Sequence, residues 1–432
     1  MKRVTAVIAA LVLLLGVAGV VVMVNQRAIS VAQAPQVTQA PEPLLLSASS
    51  PPSPEFRAKV TEVMDALADD DAMGDVHGMV ADVATGEVLW SRNADKPVTP
   101  ASTTKLLTAT AVLLGLPGDD RVPTKVLSSP QDGTVILSGA WDPTLSRSGS
   151  GAYPGAASIA DLAAQVRKQA GAVDTVIVDT APNKDSWRDD WDRSGIKAGY
   201  IAPIESVEID AGQLGSGRSD SPAMDAAAAL ADELGANNVE ATDNAAGVDL
   251  LGEVRSAPLT TRVHQMLQHS DNVLAESLGR ELAVSRGKPA TFAGAAEAVK
   301  EVLAEHDLLV PDGLSGADTS GLSPANKVTP QQLTQVLRAA TTNAELAAVL
   351  DGIPVAGVNG TLSTRYTGSS GRGWIRAKTG TLSPVSSLSG VLTNSEGRVL
   401  TFTLISDDVD IAAARAAADR GVSELQAITD SP

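Results

Sequence analysis

Residues 100–117 read PASTTKLLTATAVLLGLP, and this segment is the most informative part of the sequence. Ser102 and Lys105 lie in its first turn, and the run from Leu106 to Leu116 is almost wholly apolar. The pattern predicts a helix that is buried on all sides and ends at the following proline. Because residues three apart share one helical face, we expect Ser102 and Lys105 to meet at the start of this helix.

Two later segments supply residue types that could work with this serine–lysine pair. A Ser-Asp-Asn tripeptide at 270–272 interrupts a helical stretch that runs from 259 to 285. A Lys-Thr-Gly tripeptide at 378–380 occurs once, and we expect it at the end of a strand, with a further strand after it. Short patterns arise by chance, so the order and the surroundings of the three motifs carry the prediction of an active site.

Two other serines stand three residues before a lysine, so spacing alone does not identify a nucleophile. Ser194 and Lys197 lie in a turn-rich, charged stretch, whereas Ser285 and Lys288 are followed by a proline. A helix therefore ends near Ser285 and does not begin there. Ser102 differs from both because it opens a strongly apolar helix, and it is the predicted nucleophile.

The residue types fit nucleophilic catalysis. A serine hydroxyl attacks a carbonyl only when a nearby base takes its proton. Lys105 can be that base when neutral, so burial must lower its pKa, and a second ammonium group from Lys378 would lower it further. Backbone N–H groups at the helix start would bind an oxyanion. The rival base is a histidine, His264 or His269, beside Ser270.

Composition narrows the chemistry. The 432 residues include no cysteine and four histidines, which excludes disulfides, thiolate metal sites and cysteine nucleophiles and leaves few metal ligands. We therefore predict no metal and no cofactor. The formal net charge of −18 repels phosphate backbones and argues against nucleic-acid binding. An apolar content of 44% with 19% charged residues indicates a folded protein.

Residues 1–27 are interpreted as a membrane anchor or signal segment. A lysine and an arginine precede an apolar run from 4 to 24, about the length that a helix needs to cross a bilayer. An uncleaved anchor is favoured, because the Ala-Gln-Ala site at 32–34 lies late and is followed by proline. Residues 28–54, rich in proline, serine and alanine, predict a linker. The charge distribution places the body outside the cytoplasm, anchored to the outer face of the membrane or secreted into the cell-wall space.

The pattern of predicted strands, turns and helices changes along the rest of the chain. From 119 to 255, short strand candidates alternate with Gly/Pro/Asp turns and two helical stretches, which predicts an inserted α+β domain. Residues 55–118 and 256–432 flank this insert and are predicted to form one catalytic domain. Near the C-terminus three consecutive strand candidates, with a tight turn at 394–397, precede a final helix.

The motif triplet resembles that of the penicillin-binding proteins and serine β-lactamases. Longer stretches are similar to the D-alanyl-D-alanine carboxypeptidase/endopeptidase family, the class C low-molecular-mass penicillin-binding proteins, which resemble peptidase family S13. These stretches lie at 141–146, 199–203, 270–276, 319–323, 355–362 and 378–382. The resemblance implies an α/β (α+β) fold of the serine β-lactamase/penicillin-binding-protein transpeptidase type. This fold has an antiparallel sheet flanked by helices, here with an inserted α+β domain between the first two motifs.

The resemblance also implies roles for the motif residues. The catalytic residues would be Ser102, which is acylated by the penultimate D-alanine, Lys105, which activates it, and Ser270, which relays a proton to the leaving group. Asn272 would hold the substrate's amide, and Lys378 would attract its terminal carboxylate with help from the two neighbouring threonines. The backbone N–H groups of Ser102 and Thr381 would form the oxyanion hole. The full substrate-binding set is Asn272, Lys378, Thr379, Gly380 and Thr381.

The implied activity is that of a serine D-Ala-D-Ala carboxypeptidase or endopeptidase on peptidoglycan stem peptides, with β-lactams as covalent inhibitors. The alternatives are a β-lactamase and a non-catalytic wall-binding or sensor module. A β-lactamase of this motif type needs a deacylating carboxylate, and its nearest candidate, Glu305, lacks the asparagine that completes the pattern. The segment 318–324 also departs from the family, which usually has glycine at 319 and arginine at 324, and the insert is short for the family.

Overall fold

The structure is a computed structural model and describes residues 50–430. The helices, numbered in chain order, are α1 (Pro54–Ala68), α2 (Thr104–Gly115), α3 (Ile159–Gln169), α4 (Ser194–Lys197), α5 (Pro222–Leu234), α6 (Leu259–His269), α7 (Asn272–Ser285), α8 (Phe292–Glu305), α9 (Pro330–Thr342), α10 (Ala347–Gly352) and α11 (Ile411–Ala427). The strands are β1 (Asp75–Asp82), β2 (Val88–Arg92), β3 (Pro123–Ser128), β4 (Thr134–Gly139), β5 (Asp142–Leu145), β6 (Thr175–Asp179), β7 (Val207–Ile209), β8 (Gln213–Leu214), β9 (Gly217–Arg218), β10 (Asn238–Thr242), β11 (Leu250–Arg255), β12 (Leu314–Ser315), β13 (Lys327–Val328), β14 (Ile375–Leu382), β15 (Val385–Thr393) and β16 (Val399–Asp407).

The predicted anchor, residues 1–27, lies outside the described residues, as does most of the predicted linker. Within residues 50–430, every helix is too short or too polar to cross a membrane.

One sheet, in the order β14-β15-β16-β1-β2, is antiparallel throughout and carries helices on both faces. Along β16, Phe402 and Leu404 join a core with α1 and α11, whereas Ile405 joins a core with α2, α6, α7, α8 and α9. The alternation follows from the two-residue period of a strand. Since both faces are covered, β15 and β16 are buried along almost their whole length. The predicted antiparallel sheet flanked by helices is confirmed.

Helix α2 passes through the second of these cores. Every residue from Thr104 to Leu113 is buried, which confirms the helix predicted to be buried on all sides. Its threonine hydroxyls find backbone acceptors, because Thr108 donates to the carbonyl of Thr319 at 2.7 Å and Thr110 donates within the helix. A buried hydroxyl without a partner would cost about 1–3 kcal/mol, so these bonds let a polar residue type occupy the core.

A second sheet, in the order β10-β6-β4-β3-β11, is formed from strands that lie between Pro123 and Arg255. β6 pairs in parallel with β4 and β10, whereas β3 pairs antiparallel with β4 and β11. α3 and α5 pack on this sheet around aliphatic residues such as Leu162 and Leu230. The domain limits at 55–118, 119–255 and 256–432 stay a prediction.

One local prediction is wrong. The Lys-Thr-Gly tripeptide does not end a strand, because β14 continues through it to Leu382 and pairs with β15 along its whole length. Gly380 has a packing reason within this strand. A Cβ at Gly380 would lie 2.9 Å from the carbonyl oxygen of Pro100 and 3.0 Å from the amide nitrogen of Ser102. Glycine therefore lets β14 approach the start of α2 closely.

Candidate active site

The predicted nucleophile lies in a tight turn just before α2. Ser102 is the middle residue of a 3-10 turn, Ala101–Thr103, and its side chain is partly accessible. Lys105, in the first turn of α2, donates from Nζ to Ser102 Oγ at 3.1 Å. The three-residue offset thus places the amine on the hydroxyl, as the sequence predicts.

The amine of Lys105 is fully buried and has two further acceptors. Nζ donates to Asn272 Oδ1 and to the carbonyl oxygen of Ser320, both at 2.6 Å. Burial lowers the pKa of Lys105 from 10.5 to about 8, although the charges of Asp318, Glu276 and Asp271 act in the opposite direction. The neutral form that a general base requires is therefore about a tenth of the population at pH 7 and grows as the pH rises.

Ser270 joins the site through the turn between α6 and α7. It has a left-handed backbone, with φ of 57°, and ends α6. Lys378 Nζ donates to Ser270 Oγ at 2.8 Å and to its neighbour's carbonyl, Thr379 O, at 2.7 Å. Asn272 is held at the same turn, because its Nδ2 donates to the carbonyl of Tyr200 at 2.9 Å while its Oδ1 accepts from Lys105. The second and third motifs are thus brought together around Lys105.

Lys378 is as deeply buried as Lys105. Burial, and then the charge of Lys105, lower the pKa of Lys378 well below its usual value. The predicted repulsion between the two amines therefore acts on Lys378, whereas nearby carboxylates dominate the charge effects on Lys105.

The remaining motif residues lie along β14, which is an edge strand of its sheet. Thr379 Oγ1 donates to Thr361 Oγ1 at 2.9 Å. Thr381 is exposed and accepts a hydrogen bond from Arg415 on α11. Gly380 contributes close approach rather than a side chain, since it lets the strand lie against the Ser102 amide. The first part of this edge is covered, because Val355 bridges to Arg376, but the part beside the nucleophile can pair with an extended peptide substrate.

The loop 318–323 packs against Lys105 and forms one wall of the site. This loop includes position 319, where the chain departs from the family. Asp318 accepts from the backbone N–H groups of Gly321 at 2.8 Å and Ser323 at 2.6 Å, which fixes the loop. A Cβ at Gly321, where φ is +86°, would collide with the carbonyl oxygen of Ala101. The Ser320 carbonyl is thereby held on Lys105 Nζ.

Sequence reasoning missed a buried carboxylate beneath this loop. Glu276 on α7 accepts from the N–H of Ser320 at 2.7 Å and from the Thr319 hydroxyl at 2.9 Å. Burial, and then the charge of Asp318, raise the pKa of Glu276 to about 7. Its signal in the sequence is a glutamate that directly follows the apolar residues 273–275. Such a residue needs hydrogen-bond donors when it is buried.

The competing residues are engaged elsewhere. Ser194 Oγ donates to Asp192 at 2.6 Å, and Ser285 Oγ donates to the carbonyl of Leu282 at 2.7 Å. His264 and His269 are exposed, and the amine of Lys105 occupies the position that a histidine base would need at Ser102 Oγ. Among the described residues, no group of His, Asp and Glu side chains is arranged to hold a metal ion.

A serine activated by a buried lysine, with a second serine–lysine pair opposite and an open edge strand alongside, defines a serine acyl-transfer enzyme of the penicillin-recognising class. Comparison with known families makes the assignment specific. The D-Ala-D-Ala carboxypeptidase 3 (S13) family model matches residues 60–216 and 215–427, and the chain belongs to this family. The resemblance drawn from the sequence is confirmed.

Individual relatives agree with this assignment. Carboxypeptidase DacB of Mycolicibacterium smegmatis is 42% identical over 378 residues, which cover 83% of this chain and 82% of that protein. Penicillin binding protein 4 (dacB) from Haemophilus influenzae has a similar structure, with a TM-score of 0.73 at 21% identity, covering 85% of this chain and 99% of that one. Penicillin G-acylated Bd3459, a predatory endopeptidase from Bdellovibrio bacteriovorus, gives a TM-score of 0.52 at 18% identity, covering 81% and 92%. The two structural similarities confirm the predicted penicillin-binding-protein fold.

Acylation should accelerate as the pH rises through the pKa of Lys105, about 8. Below that value the neutral fraction falls about tenfold per pH unit, so the rate constant for labelling by a fluorescent penicillin should fall about tenfold from pH 7 to pH 6 and level off above pH 9. Lys105→Arg keeps the charge but cannot lose its proton, and should abolish labelling while circular dichroism stays unchanged. A rate that is flat from pH 6 to pH 9, or labelling of the arginine variant, would contradict the role of Lys105 as base.

Proposed function

We propose that this protein is a serine-type D-Ala-D-Ala carboxypeptidase that acts on peptidoglycan stem peptides through an acyl-enzyme on Ser102. The contact of Lys105 Nζ with Ser102 Oγ, at 3.1 Å in a buried site, is the observation that carries the proposal. The family membership and the DacB relative support the same activity. Cleavage of cross-links, an endopeptidase reaction, involves the same type of bond and belongs to the same proposal.

Acylation follows from the geometry. Neutral Lys105 takes the proton of Ser102 Oγ as the oxygen attacks the carbonyl carbon of the penultimate D-alanine. The negative charge that develops on the carbonyl oxygen is stabilised by the backbone N–H groups of Ser102 and Thr381. The C–N bond then breaks, and the leaving amine of the terminal D-alanine takes a proton from Ser270 Oγ, which is replaced by the proton that Lys105 had accepted, relayed through Lys378.

Deacylation reverses these roles with water as the nucleophile. Lys105 takes one proton from water as the oxygen of the water adds to the ester carbonyl. It then returns this proton to Ser102 Oγ as the acid product leaves. A β-lactam would acylate Ser102 in the same way, but its leaving nitrogen stays tethered to the acyl group by the opened ring. The tethered group obstructs water, so β-lactams should act as slowly released covalent inhibitors.

The position of Glu305, the one candidate for a deacylating base, argues against the β-lactamase alternative. Glu305 lies at the end of α8, is about half exposed, and forms an ion pair with Arg286. A deacylating carboxylate would have to face the acyl group on Ser102. The non-catalytic alternative is disfavoured because the serine–lysine hydrogen bonds expected of a working site are present at both pairs.

Labelling of the full-length protein with a fluorescent penicillin tests the function. We expect stoichiometric, long-lived label that is lost in Ser102→Ala and kept in Ser194→Ala and Ser285→Ala, and release of D-alanine from a stem pentapeptide. Rapid turnover of the penicillin would identify a β-lactamase instead, and absence of label on the wild-type chain would identify a binding module. Incubation with a cross-linked dimer reports endopeptidase activity in the same preparation.

Recognition of the substrate's terminal carboxylate is assigned to Lys378, Thr379 and Thr381, with Arg415 beside Thr381. A charge-assisted hydrogen bond contributes about 1.5–3 kcal/mol, so a stem peptide amidated at its C-terminus should react about ten- to a hundredfold more slowly in kcat/KM. In Thr381→Val the preference for the free acid should shrink. Equal rates for acid and amide in the wild-type enzyme would remove these residues from that role.

We also propose that residues 1–27 anchor the protein to the outer face of the cell membrane and that residues 28–54 hold the catalytic body away from it. The apolar run from 4 to 24 and the proline-rich segment after it support this arrangement. Carbonate washing of isolated membranes should leave the full-length chain in the pellet. A shortened chain in the medium, with an N-terminus near residue 35, would show that the segment is a cleaved signal.

A further inference from the structure

The middle residue of the second motif, Asp271, connects the site to the segment predicted as an insert, 119–255. Its Oδ1 accepts from the N–H of Leu274 at 2.9 Å and caps α7. Its Oδ2 accepts from Tyr153 Oη at 2.7 Å and from Arg218 Nη2 at 2.9 Å, and both donors belong to the 119–255 segment. One carboxylate therefore joins the start of α7 to two separate loops of that segment.

Arg218 is held by all three nitrogens of its guanidinium group. Nε donates to the carbonyl of Gly199 at 2.9 Å, Nη1 to the carbonyl of Ala211 at 2.7 Å, and Nη2 to Asp271. The side chains of the pair are 11% and 7% exposed. The planar guanidinium group fixes the position of the Asp271 carboxylate, and a lysine could not form all three hydrogen bonds at once.

The 119–255 segment also holds the residue after Asp271. Asn272 Nδ2 donates to the carbonyl of Tyr200, the residue that follows Gly199. A cavity of about 340 Å³ beside the motif is lined by Tyr153, Tyr200, Arg218 and the motif itself. Tyr153, Arg218 and Asp271 therefore lie at a cavity beside the second motif.

Ser270 needs such support because its backbone is unfavourable for a serine. A φ of 57° in a residue other than glycine costs about 1–3 kcal/mol and persists only when the surroundings enforce it. On one side the N–H of Asp271 bonds the carbonyl of Met266 at 3.0 Å, and on the other the Asp271 carboxylate caps α7. Fixing Asp271 consequently fixes where Ser270 Oγ meets Lys378 Nζ.

We propose that Arg218 is a positioning residue that acts through Asp271 to hold Ser270 Oγ in place for proton transfer to the leaving group. The proposal rests on the proposed function, and it gives the 119–255 segment a direct part in catalysis. Although burial alone would lower it, the neighbouring Asp271 and Tyr153 raise the pKa of Arg218, and Arg218 keeps the pKa of Asp271 below its usual value. The pair is therefore ionised throughout the working range of the enzyme.

The test uses the dependence on the leaving group. An amide substrate needs a proton on its departing amine, whereas a thioester of the same acyl group releases a thiolate that needs none. In the full-length enzyme, Arg218→Gln should lower kcat on the amide by about ten- to a hundredfold, with KM changed by less than about threefold, and should lower kcat on the thioester by less than about threefold. Arg218→Lys should fall between the wild-type enzyme and Arg218→Gln.

Two further variants complete the experiment. Arg255→Gln removes an exposed arginine of the same segment and should behave as wild type on both substrates. Tyr153→Phe removes one hydrogen bond to Asp271 without a charge, and it gives the same comparison if Arg218→Gln does not fold. Equal losses on amide and thioester would overturn the proposal in favour of a purely structural role, and no loss on either would overturn it as well. A wild-type enzyme that cleaves neither substrate and takes no penicillin label would instead refute the proposed function.

Discussion

The active site depends on one buried amine. Lys105 Nζ contacts three oxygens that come from three separate parts of the chain: Ser102 Oγ at 3.1 Å, Asn272 Oδ1 at 2.6 Å and the Ser320 carbonyl at 2.6 Å. An ammonium group buried without acceptors would be very costly, so folding must bring these segments together before Lys105 can enter the core. The cost of burying the charge thereby enforces the geometry that catalysis needs.

The two buried lysines differ in the carboxylates around them. Asp318 and Glu276 stabilise the charged form of Lys105 and hold its pKa at about 8 against burial, whereas burial and the repulsive charge of Lys105 both lower the pKa of Lys378. Lys105 Nζ has three hydrogen-bond acceptors within reach, and Lys378 Nζ has two. The amines of Lys105 and Lys378 therefore differ in their affinity for a proton, and a proton can be transferred between them during the reaction.

Sequence reasoning reached the residues whose chemistry is local and those that belong to the three motifs. The offset from Ser102 to Lys105 and the apolar run after them are properties of one helix, and periodicity is sufficient to predict them. It did not reach Glu276, Tyr153 or Arg218, because each acts through a partner more than 40 residues away along the chain. It also ended β14 too early, because the pairing with β15 that carries the strand to Leu382 cannot be read from the sequence.

The departure from the family pattern at Thr319 shows how such long-range constraints act together. The position opposite Thr319 on α7 is Gly279, where a Cβ would lie 2.6 Å from Thr319 Oγ1. A glycine within a helix costs about 1 kcal/mol relative to alanine, but here it makes room for a threonine whose hydroxyl donates to Glu276 and whose carbonyl accepts from Thr108. The threonine side chain thus adds a hydrogen bond to Glu276 beside the loop that presents the Ser320 carbonyl to Lys105, whereas the bond from Thr108 uses a backbone carbonyl that a glycine would also supply. The substitution preserves the contact on which the site depends.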